Sequence, residues 1–280
     1  MKLQHKLRTC RLSGTALLAV NFYNFETLEG LLLGARQMDS PLILQLSESS
    51  LHYLGVEPAA RMARALLKQF EVQGWLHLDH GANINMIRAC LDAGFDSVMI
   101  DASEKSFAEN VRITTEVVNI AQYYGANVEA ELGYVAKLGQ DQQTVFTTPE
   151  EARRFEEATG IDALAVAIGS AHGFYKQPPR LSIESLRAIR DNTQSALVLH
   201  GSSGIPDEQL IAAVQNGISK INLATETKNI FMTKLQALLA EGQEIDLRKV
   251  FPKAISEVSK LIVAKLKVIG AAAPTPTSVA

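Results

Sequence analysis

Residues 41–79 carry the pattern that decides the fold: the apolar run PLILQL at 41–46, an amphipathic stretch at 57–72, and the apolar run WLHLD at 75–79. Short runs that are apolar almost throughout are typical of strands buried on both faces of a parallel sheet. A helix between two such strands forms the β–α–β unit of parallel sheets. The apolar residues of the amphipathic stretch recur at the spacing of one helix face: Ala60, Ala63, Leu66, Leu67 and Phe70.

The same alternation continues toward both ends of the chain. Helical periodicity is present at 27–38 and at 105–124. Thr148-Pro149-Glu150-Glu151 predicts a helix start, because it combines a hydroxyl N-cap, a proline in the first turn and a glutamate three residues on. Pro206-Asp207-Glu208 is expected to open another helix in the same manner. Further strands are predicted at 16–21, 97–101, 127–132, 164–168, 197–200 and 220–224.

Eight predicted strands that alternate with helices favour a closed (β/α)8 TIM barrel of the α/β class over an open sheet. About 30 residues per strand–helix unit, taken eight times, account for roughly 240 of the 280 residues. We therefore expect one barrel domain over residues 1–268, which includes an additional C-terminal helix at 246–268. Residues 269–280 are expected to form a mobile tail.

The composition excludes several classes of protein. Hydrophobic residues make up 47% of the chain and charged residues 20%, which is typical of a globular protein with a large core and not of a disordered one. The net charge of −3 argues against a nucleic-acid or anionic-lipid partner.

The location expected from the sequence is the cytoplasm. The apolar run at 16–20 is shorter than the ~7–15 residues of a secretion signal core, and no stretch approaches the ~18 apolar residues of a membrane span. Two cysteines, Cys10 and Cys90, do not make a disulfide framework, so a reducing compartment is expected.

Polar side chains follow each predicted strand, at the end of the barrel where TIM-barrel enzymes carry their chemistry. Three of these residues are histidines: His80, His172 and His200, on strands 3, 6 and 7. Three imidazoles that converge on one point are the ligand set of a catalytic zinc with an open fourth position. A lone histidine there would more often be structural, but three together, accompanied by Asp79, Asp101 and Glu131, favour a metal site.

The acidic residues near the histidines leave two interpretations open. Asp101 and Glu131 are expected either to orient the ligands or to complete a second, weaker metal position. His77, inside strand 3, is interpreted as a supporting residue, and His5 and His52 as surface residues.

The loops after strands 7 and 8 are the usual phosphate-binding place in this fold. Gly201-Ser202-Ser203-Gly204 offers close backbone approach and two hydroxyls, and Thr225 is expected to cap the helix after strand 8. The sequence has no nucleotide-binding P-loop and no nucleophile elbow. Lys220 is predicted to lie at the start of strand 8, on the opposite rim, so carbonyl chemistry here would need a metal instead of an imine.

The chain resembles the class II, metal-dependent ketose-bisphosphate aldolases, and among them most closely the tagatose-bisphosphate type. The similarity covers nearly the whole chain from about Ala19 onward. The stretches that carry it are Leu76-His77-Leu78-Asp79-His80-Gly81, Ser97-Val98-Met99-Ile100-Asp101-Ala102-Ser103, Val128-Glu129-Ala130-Glu131-Leu132-Gly133, Thr159-Gly160-Ile161-Asp162, Ala171-His172-Gly173, Leu199-His200-Gly201-Ser202-Ser203-Gly204-Ile205 and Lys220-Ile221-Asn222-Leu223-Ala224-Thr225-Glu226.

The resemblance implies a zinc ion held by His80, His172 and His200, with Asp79 moving the proton at the C4 hydroxyl of the substrate. It allows a second divalent or a monovalent cation beside the catalytic ion, with Asp101 and Glu131 as further candidate ligands. The ketose would be cleaved into dihydroxyacetone phosphate and an aldehyde. Together with Asn24 and Ser47 at the strand ends, the residues expected to bind the phosphorylated half are Gly173, Gly201, Ser202, Ser203, Asn222, Leu223, Ala224 and Thr225.

Two stretches depart from the family pattern. After Ser103 relatives mostly have His-Leu-Pro, where this chain has Glu104-Lys105-Ser106, and after Gly133 they have a Gly-Gly pair followed by acidic residues, where this chain has 134–141 (YVAKLGQD). The altered second loop leaves the proton carrier at the dihydroxyacetone carbon unassigned, with Glu131 and Asp141 as candidates. Both stretches are expected to border the aldehyde half, where Lys105 and Lys137 are the candidate contacts.

Several alternatives stay open at this point. Fructose or tagatose 1,6-bisphosphate is the default substrate. The added lysines are also compatible with a sulfonated ketose, 6-deoxy-6-sulfofructose 1-phosphate. They could equally result from neutral drift without a functional meaning. A zinc hydrolase would use the same histidines without the phosphate loops, and a barrel without activity would serve as a companion subunit. The resemblance implies a homodimer or homotetramer, with the helix at 246–268 as a contact surface.

Overall fold

The computed structural model describes residues 1–133, 135, 145–173, 175 and 179–271. Eight parallel strands, β1 to β8, close into a barrel in the order of the sequence, which confirms the predicted (β/α)8 fold. The bounds lie within two residues of those predicted, because strands buried on both faces leave a clear local signature. The strands are β1 Leu17–Asn21, β2 Leu42–Ser47, β3 Gly74–Gly81, β4 Ser97–Ile100, β5 Asn127–Leu132, β6 Ala163–Val166, β7 Ala196–Leu199 and β8 Ile218–Leu223.

The helices of the described residues surround this barrel. Within those residues, no helix is both long enough and apolar enough to cross a membrane. The helices are α1 Leu3–Ser13, α2 Phe25–Gln37, α3 Glu48–Leu54, α4 Val56–Phe70, α5 Ile84–Asp92, α6 Phe107–Tyr124, α7 Pro149–Thr159, α8 Ile183–Asn192, α9 Asp207–Gln215, α10 Thr225–Glu241 and α11 Leu247–Ala271.

Helices begin within one residue of all three predicted starts, and the predicted capping is confirmed at one of them. The Thr148 side chain accepts a hydrogen bond from the backbone N–H of Glu151 and caps α7, with Pro149 in the first turn. The other two predictions were wrong in their capping. Pro206 itself occupies the N-cap position of α9 and makes no side-chain cap, and Thr225 is the first residue of α10, whose N-cap is Ala224. Helix α10 thus begins one residue earlier than a cap by the Thr225 hydroxyl would require.

Helix α1 was not predicted, and it closes the end of the barrel opposite to the strand carboxyl ends. Leu3, Leu7 and Cys10 are buried against the first residues of the strands, in one cluster with Leu17 and Trp75. The signal was an apolar stripe of three side chains in an otherwise polar, basic segment. Such a narrow stripe suffices because it covers only the end of the barrel.

Helix α11 packs tightly on α2 through two small residues. A Cβ atom added at Gly30 would lie 2.7 Å from Val258 Cβ, and one added at Gly34 would lie 2.7 Å from Ile262 Cβ. The predicted helix at 246–268 is therefore part of the barrel wall and extends to Ala271. Residues 272–280 of the predicted tail lie outside the described residues.

Candidate active site and metal centre

Three histidines meet at the carboxyl ends of the strands. His80 belongs to β3, and His172 and His200 follow β6 and β7. The ring centroid of His80 lies 5.0 Å from that of His172 and 4.8 Å from that of His200. With a carboxylate oxygen of Glu131, one nitrogen of each ring forms a group whose atoms all lie within 4.8 Å of one another.

The neighbours of each ring show which nitrogen faces this group. His80 Nδ1 lies 2.7 Å from Asp101 Oδ2, so His80 turns its Nε2 toward the other histidines. His200 presents Nδ1, which lies 3.1 Å from His80 Nε2 and 3.7 Å from Glu131 Oε2. The Nε2 of His200 is turned away, 2.9 Å from Glu129 Oε1.

The donor set fits a divalent cation. Glu131 Oε2 is buried and has no hydrogen-bond partner among the described residues, although it faces imidazole nitrogens. Buried polar atoms are normally paired, so an orphaned acceptor in this position points to an absent ligand. Three imidazoles and one carboxylate are a ligand combination that zinc accepts. Asp101, predicted as a metal ligand or an orienting residue, lies outside this group and hydrogen-bonds His80 Nδ1 and Ser103.

The protonation of the rings follows from their surroundings. Burial is the main cause that lowers the pKa of His172, to about 3, and this favours the neutral form that binds metals. Burial alone would also lower the pKa of His80, but the carboxylates of Asp79 and Asp101 raise it to about 9. A cation that binds at His80 therefore has to displace a proton.

A backbone irregularity brings two sequence neighbours into the site. Successive side chains of a regular strand point to opposite faces, yet Asp79 Oδ1 lies 4.0 Å from His80 Nε2. His80 has a left-handed backbone with φ 51°, and the register between β3 and β4 shifts between Leu78 and Gly81. At Gly81 a Cβ atom would lie 2.6 Å from Met99 O, so the close approach of the two strands requires glycine there.

Asp79 is a buried carboxylate held by two amides. Asn21 Nδ2 donates to Asp79 Oδ2 at 2.9 Å, and Asn222 Nδ2 lies 3.3 Å from Asp79 Oδ1. Asn21 is oriented in turn by Gln45 Nε2, which donates to it at 3.0 Å. Burial would raise the pKa of Asp79, but several neighbours, first among them the positive charge of His80, lower it to about 2. The carboxylate is therefore ionised and can accept a proton.

A recess of about 50 Å³ adjoins the histidines, and most residues of the predicted phosphate site line it. Ser202 Oγ donates to the Asn222 carbonyl, and Ser203 Oγ accepts from Glu226 N at 3.2 Å, so both hydroxyls tie the loop after β7 to β8 and α10. The N-terminus of α10, where backbone N–H groups attract anions, starts at Thr225 beside the recess. The predicted residues that line it are Gly173, Gly201, Ser202, Ser203, Asn222, Ala224 and Thr225.

The remaining predicted substrate residues lie elsewhere. The side chain of Leu223 is buried in the barrel wall. Asn24 caps α2 by accepting from Thr27 N at 2.9 Å and lines neither the recess nor the larger cleft. Ser47 caps α3 and borders the larger cleft.

That larger cleft, of about 670 Å³, is also lined by Asp79, His80 and His172. Lys105, predicted at the aldehyde end, lines it together with Glu104. Two lining residues were missed by sequence reasoning: Tyr23, and Lys228 on α10, whose Nζ lies 5.8 Å from the Tyr23 ring centroid. Their positions in the sequence could have identified them, because Tyr23 closely follows β1 and Lys228 lies in the first turn of α10. Lys137 and Asp141 lie outside the described residues.

Below the histidines, charged residues fill the barrel interior. Lys220 was predicted on the opposite rim, which was wrong: it is the third residue of β8, and its Nζ lies 2.7 Å from Glu129 Oε2 inside the barrel. His77 lies 3.4 Å from the same Nζ. The signal available in the sequence was the period of two, which places Lys220 on the same face of β8 as Asn222.

Comparison with known proteins gives consistent matches. The family model described as "Fructose-bisphosphate aldolase class-II" matches residues 1–273. A fructose-bisphosphate aldolase of Geobacillus stearothermophilus is 39% identical over 257 residues, which cover 89% of this chain and 90% of that protein. The crystal structure of the YdjI aldolase from Escherichia coli K12 superposes with a TM-score of 0.85 at 31% identity, covering 96% of each chain.

A more distant structure shows the fold alone. Fructose-bisphosphate aldolase from Campylobacter jejuni superposes with a TM-score of 0.82 at 22% identity, covering 96% of this chain and 94% of that one. The overall fold is thus shared at low sequence identity.

Proposed function

Since this chain belongs to the class II fructose-bisphosphate aldolase family, we propose that it is a zinc-dependent lyase. It would reversibly cleave a ketose 1-phosphate into dihydroxyacetone phosphate and an aldehyde, with tagatose or fructose 1,6-bisphosphate as the default substrate. One observation carries the proposal: three imidazoles and the unpaired Oε2 of Glu131 face one point next to an ionised Asp79.

His80, His172 and His200 would hold the zinc ion, with Glu131 as a further ligand. When bound, zinc would supply Lewis-acid polarisation of the carbonyl and adjacent hydroxyl of the dihydroxyacetone half. Asp101 keeps His80 in the tautomer whose Nε2 is free to bind, because its carboxylate accepts from Nδ1.

Asp79 acts as the base in cleavage. Its carboxylate takes the proton of the C4 hydroxyl while the C3–C4 bond breaks, and in condensation it returns that proton to the aldehyde oxygen. The two amides of Asn21 and Asn222 hold the carboxylate in place, so little reorganisation is needed during proton transfer.

The recess beside the histidines would take the phosphate of the dihydroxyacetone half. Backbone N–H groups at the start of α10, with the Ser202–Ser203 turn, form its wall. Binding there fixes the reacting carbons against Asp79, so the energy of phosphate binding is used for positioning. Glu131 is our candidate for proton transfer at the dihydroxyacetone carbon, because its Oε2 faces the histidines and has no hydrogen-bond partner among the described residues.

The decisive experiment measures retro-aldol release of dihydroxyacetone phosphate from both bisphosphates. We expect a chelator to abolish it and zinc to restore it, and we expect Asp79→Asn to lower kcat by about 10²–10⁴-fold, the range of general base catalysis. Asp191→Asn, at an exposed position on α8, is the control and should retain full activity.

The other outcomes separate the alternatives. Release of inorganic phosphate without dihydroxyacetone phosphate would indicate a zinc hydrolase, and zinc binding without any activity would indicate a companion subunit. A kcat/KM that is higher for 6-deoxy-6-sulfofructose 1-phosphate than for the bisphosphates would assign the sulfonated ketose as substrate, with Lys105 in the cleft as a contact of the anionic end.

We also propose that the chain forms a homodimer or homotetramer. Support comes from exposed apolar side chains around the start of α11, among them Leu239, Ile245 and Leu247. Light scattering of the purified protein tests this, and a monomer at micromolar concentration would exclude it.

A further inference from the structure

A fully buried ion pair lies directly beneath the histidines. Lys220 Nζ and Glu129 Oε2 are 2.7 Å apart, with side-chain exposures of 1% and 0%. TIM-barrel interiors are usually filled by branched apolar side chains. Because removing two charges from water costs more than packing apolar groups of equal volume, a buried pair is weak evidence of stabilisation and suggests another role.

The pair contacts one histidine ring through its free oxygen. Glu129 Oε1 lies 2.9 Å from His200 Nε2, while the opposite nitrogen of that ring, Nδ1, faces His80 and Glu131. A carboxylate can only accept, so the shorter contact, with Glu129, places the proton on Nε2. Asn222 Nδ2 also lies 3.1 Å from Nε2, and as a donor it is then left to Asp79 Oδ1 at 3.3 Å. The lone pair of Nδ1 is then left for the metal position.

Lys220 determines that Glu129 is available as an acceptor. The ammonium lies 2.7 Å from Glu129 Oε2 and is equally buried, so it supplies the positive charge that compensates a carboxylate inside the barrel. The ammonium also fixes the carboxylate plane, because it engages Oε2 and leaves Oε1 to His200.

His77 supports the lysine from the other side. Its Nε2 lies 3.4 Å from Lys220 Nζ, and its Nδ1 lies 2.7 Å from Ser97 Oγ. Burial is the first cause that lowers the pKa of His77, to about 3, so the ring is neutral and its Nε2 can accept from the ammonium. A continuous chain of contacts therefore runs from β4 through the barrel interior to His200.

We propose that Glu129 and Lys220 are positioning residues that select Nδ1 of His200 as its metal-binding nitrogen. The inference rests on the proposed function, since it presupposes that the histidines hold a divalent cation. It adds that the metal affinity of this barrel depends on two charged residues that do not touch the metal position.

The test uses the full-length protein and zinc alone as the probe. Zinc affinity is measured by competition with a chromophoric chelator for wild type, Glu129→Gln and Lys220→Met. We expect an affinity about 10–100-fold lower for Glu129→Gln and about 10-fold lower for Lys220→Met, the range found for partners of metal-bound histidines.

A matched control separates positioning from loss of a structural ion pair. Asp96 accepts from Arg64 at 2.8 Å and from Leu76 N at 2.7 Å, at the opposite end of the barrel. Asp96→Asn is expected to lower the free energy of unfolding without changing zinc affinity. Circular dichroism first establishes that Glu129→Gln and Lys220→Met are folded. The folded variants must bind zinc more weakly than wild type, and wild-type zinc affinity in both overturns the proposal.

Two further measurements keep the test decisive. If Lys220→Met does not fold because it leaves a buried carboxylate uncompensated, Lys220→Met/Glu129→Gln removes both charges and is expected to fold with the weakened affinity. Nitrogen-15 histidine spectra of the zinc-loaded wild type should show a zinc-bound imidazole protonated on Nε2. Absence of such a ring overturns the proposal without any variant.

The result also distinguishes this inference from the function on which it rests. Wild-type protein that binds no divalent cation contradicts the proposed function itself. A second outcome is a wild-type protein that binds zinc and releases dihydroxyacetone phosphate, while the variants keep its zinc affinity and no zinc-bound ring is protonated on Nε2. This outcome contradicts the positioning role alone.

Discussion

Gly201 connects the packing of the barrel to the geometry of its metal centre. Its φ is 65°, and a Cβ atom there would lie 2.6 Å from the carbonyl carbon of Ala171. Gly201 follows His200 and Ala171 precedes His172, and the Tyr175 hydroxyl joins the two loops by accepting from Ala171 N and donating to Gly201 O at 2.8 Å. Gly201→Ala should therefore force apart the two loops that carry these histidines.

Gly160, at the end of α7, is a matched comparison because its φ of 67° is nearly the same and no atom of the described residues lies within 4 Å of its added Cβ. Alanine in this backbone region costs about 1–2 kcal/mol, partly offset by about 0.4–1 kcal/mol from the smaller entropy of the unfolded chain. At Gly201 the backbone clash adds about 1–3 kcal/mol, the usual cost of overpacking.

The assay is urea unfolding of chelator-treated protein, followed by the fluorescence of Trp75, the single tryptophan. We expect Gly201→Ala to lose about 1–3 kcal/mol more free energy of unfolding than Gly160→Ala. Zinc affinity should fall by about 10-fold or more for Gly201→Ala only. Equal losses of stability in the two variants, or unchanged zinc affinity of Gly201→Ala, would refute the reasoning.

Two further predictions concern the thiols and the C-terminal helix. Burial raises the pKa of Cys10, and it raises the pKa of Cys90 to about 12. Neither thiol of the native protein should therefore react with a disulfide reagent at pH 8 in the absence of urea. Stoichiometric labelling of the native protein would contradict this. Gly34→Ala should lower the free energy of unfolding by about 1–3 kcal/mol because its Cβ would overlap Ile262 and the Ser259 carbonyl. Gly270→Ala, where no atom in the described part of the chain lies within 4 Å of the added Cβ, should be neutral or stabilising in the same urea titration, since alanine favours helix.

The fold could be predicted because its signals are local. A parallel strand buried on both faces is apolar almost throughout, and the helix between two strands keeps one apolar stripe. Each β–α unit can therefore be recognised from about 30 consecutive residues. Helix α1 escaped prediction because three apolar side chains among polar ones leave too weak a pattern. The start of β8 was placed two residues late, which moved Lys220 from the interior to the wrong rim.

The sequence predicted which residues lie in the candidate site better than it predicted the role of each residue. The rule that barrel enzymes use the carboxyl ends of their strands singles out His80, His172, His200 and Asp79, and the structure brings these side chains together. The substrate role of Asn24 stays a prediction; the structure shows that its side chain caps α2, a role that an asparagine after a strand often has.

The sequence alone determined the strand order, the strand ends and the set of groups that reach one rim, because chain direction and the period of two are properties of neighbouring residues. Only the tertiary structure decided how those groups meet. The left-handed backbone of His80 places it and Asp79 in one site, and contacts across the barrel from Asp101 and Glu129 decide which ring nitrogens face the metal position. Each of these depends on residues distant in sequence, so no local pattern contains it.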